Sequence, residues 1–424
     1  DHRWYQFHNL FRQFLLGRLG EDLCPEQLRA RHRLTADWYL TNGLEEQAIG
    51  HLIEAEDTDA AARLLERHVD GMVNEERLGF ITGLIDRLPE KSLRKCPNVQ
   101  GAAIIAYGFR REFAKANTII EARRRALEKS KTEVPEEDWG LLNSLQLFLL
   151  AAQDRVADMA ARAEITMRQL SAKHGFRYAV ALNAHAFWLQ ASSRFEEAAN
   201  ELAEARPIHK GHHSLFGQAY EEGIASTILT AQARITDACT TLQTVLHQIE
   251  QTASASAGAS VAAYLAEAYY ERNAIEAADA LLDDYLPVME QQAIVDPLAI
   301  GLLTRARIAI LRGEAGEAER IVERLMALGH GHDLPRLVFY GRAELIRQAT
   351  LAGDMELATR RLDAFFGGRE PRMETPLLFH ASETEAQTVT YARYLICAER
   401  YGEARALIQG EIRKAKLTRR RRRQ

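Results

Sequence analysis

The sequence predicts an all-α protein made of stacked helix pairs. Three observations predict it. First, a five-residue motif recurs through the C-terminal half. It reads Arg-Phe-Glu-Glu-Ala at 194–198, Arg-Ile-Thr-Asp-Ala at 234–238 and Asn-Ala-Ile-Glu-Ala at 273–277. It returns as Glu-Ala-Gly-Glu-Ala at 314–318, Asp-Met-Glu-Leu-Ala at 354–358 and Arg-Tyr-Gly-Glu-Ala at 400–404. Its last alanine advances in steps of 40, 39, 41, 40 and 46 residues, and weaker copies end at Ala116 and Met159. Second, apolar residues around each copy recur at helical spacing, and no strand-like alternation stands out. Third, Ala, Leu, Glu and Arg dominate a chain with only 10 Pro and 26 Gly, the composition that helices prefer. A period near 40 in a helical pattern means TPR-like helix-pair repeats forming a right-handed superhelix, an α-solenoid with an extended inner surface suited to binding.

Each repeat is expected to hold a helix of about 15 residues, a short turn and a second helix. The turns carry Ser192-Ser193, Arg312-Gly313 and Ala352-Gly353. The motif alanine is small enough to let two helices approach closely. The second helices are amphipathic: Ala277, Leu281, Leu282 and Leu286 share one face, as do Ala318, Ile321, Val322 and Leu325. The first helices show two stripes, counted back from the motif's hydrophobic position (195, 235, 274, 315, 355, 401). Residues nine and six before it are mostly small or apolar, such as Ala186, Leu189, Ala306 and Ala309, and read as core. Residues ten, seven and three before it are mixed: His185, Trp188, Gln232, Tyr264, Glu267, Arg305, Arg312, Gln348, Tyr391 and Tyr394. Two readings fit this second stripe. Polar and aromatic residues together suit a ligand groove, and Tyr and Trp also pack between repeats with their polar tips wet.

Elsewhere the punctuation is sparse. Pro89 and Pro97 flank a charged stretch, and Glu133-Val134-Pro135 separates two helices. Residues 252–260 form an Ala/Ser-rich connector expected as a loop, and Gly367-Gly368 with Pro371 and Pro376 marks a longer loop. The last pair is expected to end near residue 413.

The chain has 424 residues and a net charge of −5, but residues 414–424 hold seven positive charges and no acid, which leaves −12 on the rest. An acidic body is unlike a nucleic-acid groove. The run Arg419–Arg423 fits either a contact with DNA or an acidic partner, or a flexible linker or frayed end. Four scattered cysteines, no apolar run long enough to span a membrane and no signal peptide point to the cytoplasm.

The sequence holds no Gly-x-x-x-x-Gly-Lys-Ser/Thr loop, no His-Glu-x-x-His and no Gly-x-Ser-x-Gly, so no enzymatic role is expected. His209, His212 and His213, with His330 and His332, are the one cluster resembling metal ligands. Without cysteines or acids at ligand spacing, a solvated loop and no metal are expected there.

The N-terminal residues carry a resemblance. Trp4-Tyr5-Gln6-Phe7-His8-Asn9-Leu10-Phe11 with Phe14-Leu15 resembles the Tyr/Phe-His-x-Leu-Phe-x-x-Phe-Leu signature of MalT-like regulators, the large ATP-dependent activators of LuxR type with a STAND-class NTPase. His32-Arg33, Trp38-Tyr39, Asn42-Gly43, Ala48-Ile49, His51, Ala55, Asp57 and 61–66 resemble the block that follows in that family, with Thr35 and Gln47 as mild departures. Leu84-Ile85-Asp86-Arg87-Leu88-Pro89 resembles the segment before its repeats. Beyond residue 98 the likeness is one of architecture and period. Read without the family, Trp38, Tyr39, Ala48, Ile49, Leu52 and Ile53 make a helix-pair core, and His8, His32 and His51 are packing or hydrogen-bonding residues.

The resemblance implies a fragment: residues 1–25 as the end of a winged helix, 26–413 as a superhelical effector-binding domain, and 414–424 as a basic linker toward a DNA-binding domain absent from this sequence. It implies a small-molecule inducer as partner, self-association of the longer protein, and in some members a regulatory protein. It implies no cofactor in this chain, with ATP held by an NTPase domain elsewhere, DNA bound only through the absent domain, and no membrane. In this picture the aromatic residues of the mixed stripe stack on the inducer, and Arg305, Arg312 and Glu267 orient it. A TPR-type scaffold for a peptide or regulatory protein is the main alternative, and an all-helical enzyme has the least support.

Overall fold

The computed structural model describes residues 7–130, 132–252, 255–367 and 387–424, and every regular element among them is a helix. The chain forms two compact units, Asp1–Val73 with Arg77–Ala106, and Asn74–Glu76 with Tyr107–Gln424. No helix among the described residues is long and apolar enough to cross a membrane.

The first unit holds α1 (Asn9–Asp22), α2 (Pro25–Thr41), α3 (Glu45–Glu54), α4 (Thr58–Asn74), α5 (Leu78–Ile85), the short α6 (Glu90–Leu93) and the start of α7 (Pro97–Phe109). Ala48, Ile49, Leu52 and Ile53 are buried as the periodicity requires. Trp38 is not part of that core; it is 50 % exposed, because α2 turns Ala36 inward and Trp38 lies two residues, about 200°, around the helix. His32 and His51 pair through their Nδ1 atoms at 2.9 Å.

The second unit begins with the end of α7 and with α8 (Phe113–Glu128). Seven helix pairs follow among the described residues: α9 (Glu136–Ala152) and α10 (Val156–Gln169), α11 (Phe176–Ala191) and α12 (Phe195–Gly211), α13 (Leu215–Ala231) and α14 (Ile235–Glu250), α15 (Ala255–Glu271) and α16 (Ile275–Gln292), α17 (Val295–Leu311) and α18 (Ala315–Gly331), α19 (Pro335–Leu351) and α20 (Met355–Phe366), and α21 (Gln387–Cys397) and α22 (Tyr401–Leu417). The residue before each second-helix N-cap has positive φ: Asp154, Ser193, Ala233, Asn273, Gly313, Gly353 and Glu399. A left-handed residue reverses the chain there, which is why Gly or Asn stands at three of the seven positions.

The first helices form the inner layer. In α17, every residue from Val295 to Thr304 is buried, whereas α18 buries only a stripe of Ala318, Ile321, Val322, Leu325 and Gly329. The motif alanines sit where the two helices of a pair approach. Ala198, Ala238, Ala318 and Ala358 are fully buried. In the third copy the buried alanine is Ala278, and Ala277 is exposed, so the frame there starts one residue later than the sequence spacing suggests. With Ala278 in place the steps from Ala198 to Ala358 are 40 throughout.

Four further expectations are corrected. Residues 255–260 open α15 and are not a loop; Ala257 and Ala259 are buried, because small residues let α15 lie close to its neighbours. The last helix runs to Leu417, past residue 413. His209 lies in the last turn of α12 and is fully buried, so the three histidines are not one solvated loop. The basic run does not fray: Arg420 is buried and Arg421–Arg423 form a turn of 3-10 helix. The Gly368, Pro371 and Pro376 part of the expected loop lies outside the described residues.

Candidate ligand groove

Adjacent inner helices are joined by polar contacts about one repeat apart. The Ser260 hydroxyl donates to the Tyr220 hydroxyl at 3.0 Å. Arg336 Nη1 donates to Asp296 Oδ1 at 2.6 Å. Arg307 donates from Nε and Nη2 to Glu344 Oε2, both at 3.2 Å, and Arg347 reaches the other carboxylate oxygen at 2.8 Å. These residues come from α13, α15, α17 and α19. They occupy the positions eleven and eight residues before the motif's hydrophobic residue, and further toward the helix starts. Tyr264 and Glu267, Thr304 and Arg307, and Glu344 and Arg347 are equivalent pairs in this frame.

Earlier turns reach the ends of later helices, the start of α19 and the last turn of α16. Arg336 also binds Asp154, through Nε at 2.9 Å and Nη2 at 2.8 Å. Arg111 donates to the carbonyl oxygens of Ala293, at 2.5 Å, and Glu290. Both contacts span 182 residues or nearly so, which places successive turns of the superhelix in contact after about four and a half repeats. Asp154 and Asp296 both face the buried Arg336 guanidinium, and burial pushes the Asp154 carboxyl up against the pull of Arg336.

The structure places the ten residues of the mixed stripe on two faces. His185 Nδ1 lies 2.6 Å from Glu201 on α12, and its ring stacks on Trp188 with centroids 5.4 Å apart. Arg305 binds Asp279 and Asp283 of α16, the second contact at 2.7 Å. Arg312 binds Asp279 at 2.5 Å. The Tyr394 hydroxyl pairs with Thr359 of α20 at 2.8 Å, and Tyr391 stacks on Tyr394. Gln348 is buried beside Glu344, and Gln232 caps the end of α13. His185, Arg305, Arg312 and Tyr394 thus turn toward second helices. Only Tyr264 and Glu267 fall on the inner row. They do so because the frame of the third repeat starts one residue later than its sequence spacing suggests, and one residue is about 100° of helix rotation. Thr304, Arg307, Glu344 and Arg347, all buried or nearly so, are the inner residues the spacing missed. Aligning the third copy on Ala278 would have found them.

Arg305 and Arg312 line a cleft of about 580 Å³ at the turn between α17 and α18, with Asp279, Glu314, Glu317 and Arg320. Three arginines there balance three acids, and the Asp279 carboxylate holds two of the arginines. A small polar ligand entering this cleft would compete with those ion pairs.

A second polar cluster lies between α12 and α13. Arg206 binds Glu221 at 2.6 Å and Glu222 at 2.9 Å. Burial pushes the Glu221 carboxyl up to about 7, against the pull of Arg206. Burial pushes His209 down to about 4, aided by His212. No group of His, Cys, Asp and Glu among the described residues is arranged to hold a metal ion.

No protein-family profile matches the chain. It is similar to the HTH-type transcriptional regulator MalT of Klebsiella pneumoniae (strain 342), with 23% identity over 210 residues, 49% of this chain and 23% of that protein. It is also similar to the serine/threonine-protein kinase PknK of Mycobacterium tuberculosis (strain ATCC 25618 / H37Rv), with 24% identity over 382 residues, 85% of this chain and 33% of that protein. The match therefore spans only 23% to 33% of the length of these relatives. Among solved structures, the Rap protein complexed with Competence and Sporulation Factor superposes with a TM-score of 0.56 at 14% identity, over 89% of this chain and 99% of that one. The fold is a TPR-like α-solenoid. The homology to MalT and PknK is partial and distant.

Proposed function

We propose that this chain is the effector-sensing and self-association domain of a MalT-like, LuxR-type activator, and that it binds a small-molecule inducer in the cytoplasm. The observation that carries the reading is the inner row Tyr264, Glu267, Thr304, Arg307, Glu344 and Arg347. A helix layer that served packing alone would be apolar, since a buried ion pair gains little over a hydrophobic contact of the same size. The distant similarity to MalT supports the regulatory setting. Inducer binding would favour the assembly-competent state and so shift its population. ATP and DNA would be handled by other domains of a longer protein, and this chain would catalyse nothing.

The test is a thermal-shift screen against sugars, small alcohols, acids and aromatic metabolites, with calorimetry on each hit. The expected result is one selective ligand whose affinity falls in Tyr264→Phe and Arg307→Lys, while Arg305→Ala separates the inner row from the α17–α18 cleft. Binding lost only in Arg305→Ala moves the site to the cleft. The absence of any hit rejects the small-molecule reading.

One observation favours a second reading, a TPR-type scaffold for a peptide or regulatory protein. The Arg422 side chain of the C-terminal segment already lies 4.0 Å from Glu267 on the inner row. The Rap protein, whose fold this chain shares, was solved in complex with Competence and Sporulation Factor.

A further inference from the structure

Residues 419–422 lie on α11, the turn that follows it, the start of α12, and α15, all of which precede them by about 150–230 residues. Arg420 is buried. Its Nε donates to the Ser193 hydroxyl at 3.1 Å, its Nη2 to the Gln190 carbonyl at 3.4 Å, and its guanidinium lies 5.2 Å from the Phe195 ring centre. Arg422 lies 2.5 Å from Glu271 and 4.0 Å from Glu267, both on α15, and its side chain is only 9% exposed. Arg419 meets Glu196 at 2.5 Å on the surface.

These contacts form two distinct pockets. One offers a carbonyl, a hydroxyl and an aromatic face, the combination that suits a planar guanidinium and not a compact ammonium. The other offers two carboxylates one helical turn apart. The pockets take arginines two residues apart in sequence. Seven cations on a segment with no acid, set against a body of net charge −12, supply the long-range attraction. The pockets supply the selectivity.

We propose that α11, the start of α12 and α15 build a recognition site for Arg-x-Arg peptide segments, and that residues 420–422 of this chain occupy it as an intramolecular latch. A segment of the same chemistry from another protein would bind by displacing the latch. Because Glu267 belongs to the inner row, occupancy by the latch and occupancy of the groove are coupled. The inference rests on the sensor reading only in that coupling.

The test uses the full chain and a fluorescent peptide of sequence Thr-Arg-Arg-Arg-Arg-Arg-Gln, followed by anisotropy at about 0.15 M salt, where exposed charge attraction is largely screened. No inducer is present, so the outcome is independent of the proposed function. The variant Arg420→Ala/Arg422→Ala, with an unchanged helical signal, is expected to bind the peptide about tenfold or more tighter than the unaltered chain. Adding Glu267→Gln/Glu271→Gln should abolish that gain. A peptide with Lys in place of each Arg should bind about tenfold weaker at the same charge. If the alanine variant fails to fold, Arg420→Lys/Arg422→Lys replaces it, keeping charge while losing the fork. Equal binding of the lysine peptide, binding retained in the glutamine variants, or no gain on loosening the latch would each overturn the proposal.

Discussion

Glu221→Gln should change how the stability of the repeat unit depends on pH. Glu221 sits on α13 with its side chain almost fully buried against Arg206. Its pKa rises from 4.5 to about 7, so the folded chain takes up a proton there on mild acidification while the unfolded chain does not. A group with a raised folded pKa stabilises fully below its unfolded value and loses that contribution as pH rises through the folded one. Between about pH 8 and about pH 5.5 the gain on acidification is about 2 kcal/mol, at about 1.4 kcal/mol per tenfold in proton affinity. His209 acts in the opposite direction. Its pKa falls from 6.5 to about 4, so the unfolded chain binds the proton first and acidification over the same range removes about 1.4 kcal/mol. In the unaltered chain the two nearly cancel. Glu221→Gln removes one of them, so the stability of the parent relative to the variant should rise by about 2 kcal/mol on going from about pH 8 to about pH 5.5. Urea unfolding followed by the helical circular-dichroism signal at both pH values reads this directly. A gap that is the same at both values would mean that Arg206 keeps Glu221 ionised despite its burial, and would refute the reasoning.

Three further predictions concern packing. Ala278→Leu should destabilise by about 2 kcal/mol or more by overfilling the junction of α15 and α16, whereas Ala277→Leu should stay within about 0.5 kcal/mol; comparable urea midpoints for the two would reject the corrected register. Asp154→Ala leaves Arg336 paired with Asp296 but takes away the partner of its Nε and Nη2 donors, and should cost about 2 kcal/mol in the same unfolding experiment. Gly217→Ala should lower the melting temperature by several degrees, because a Cβ there would run into the His209 ring; an unchanged melting curve would show that the ring can move aside.

Much of the fold was legible because a solenoid is a local object. Each pair's helices, turn and motif alanine lie within 40 residues, so periodicity reports them without knowledge of distant contacts. The errors came where local signals compete. Ala277 and Ala278 are adjacent alanines, and only burial distinguishes the one that faces the partner helix. The Ala/Ser-rich stretch from 255 reads as low complexity, yet small residues are what close packing of inner helices requires. His209 reads as part of a loop because polar neighbours surround it, and burial by α13 cannot be seen from its own segment.

The sequence by itself determined the helix pairs, their period, the amphipathic second helices and the basic character of the C-terminal segment. Each of these is set by residue spacing and by charge along the chain. Tertiary structure decided which stripe of the first helices faces inward, that Asp154 meets Arg336 across 182 residues, and that Arg420 and Arg422 dock on α11 and α15. Those depend on how far the superhelix rotates per repeat. That rotation is the sum of many small packing offsets, and no single residue spacing encodes it.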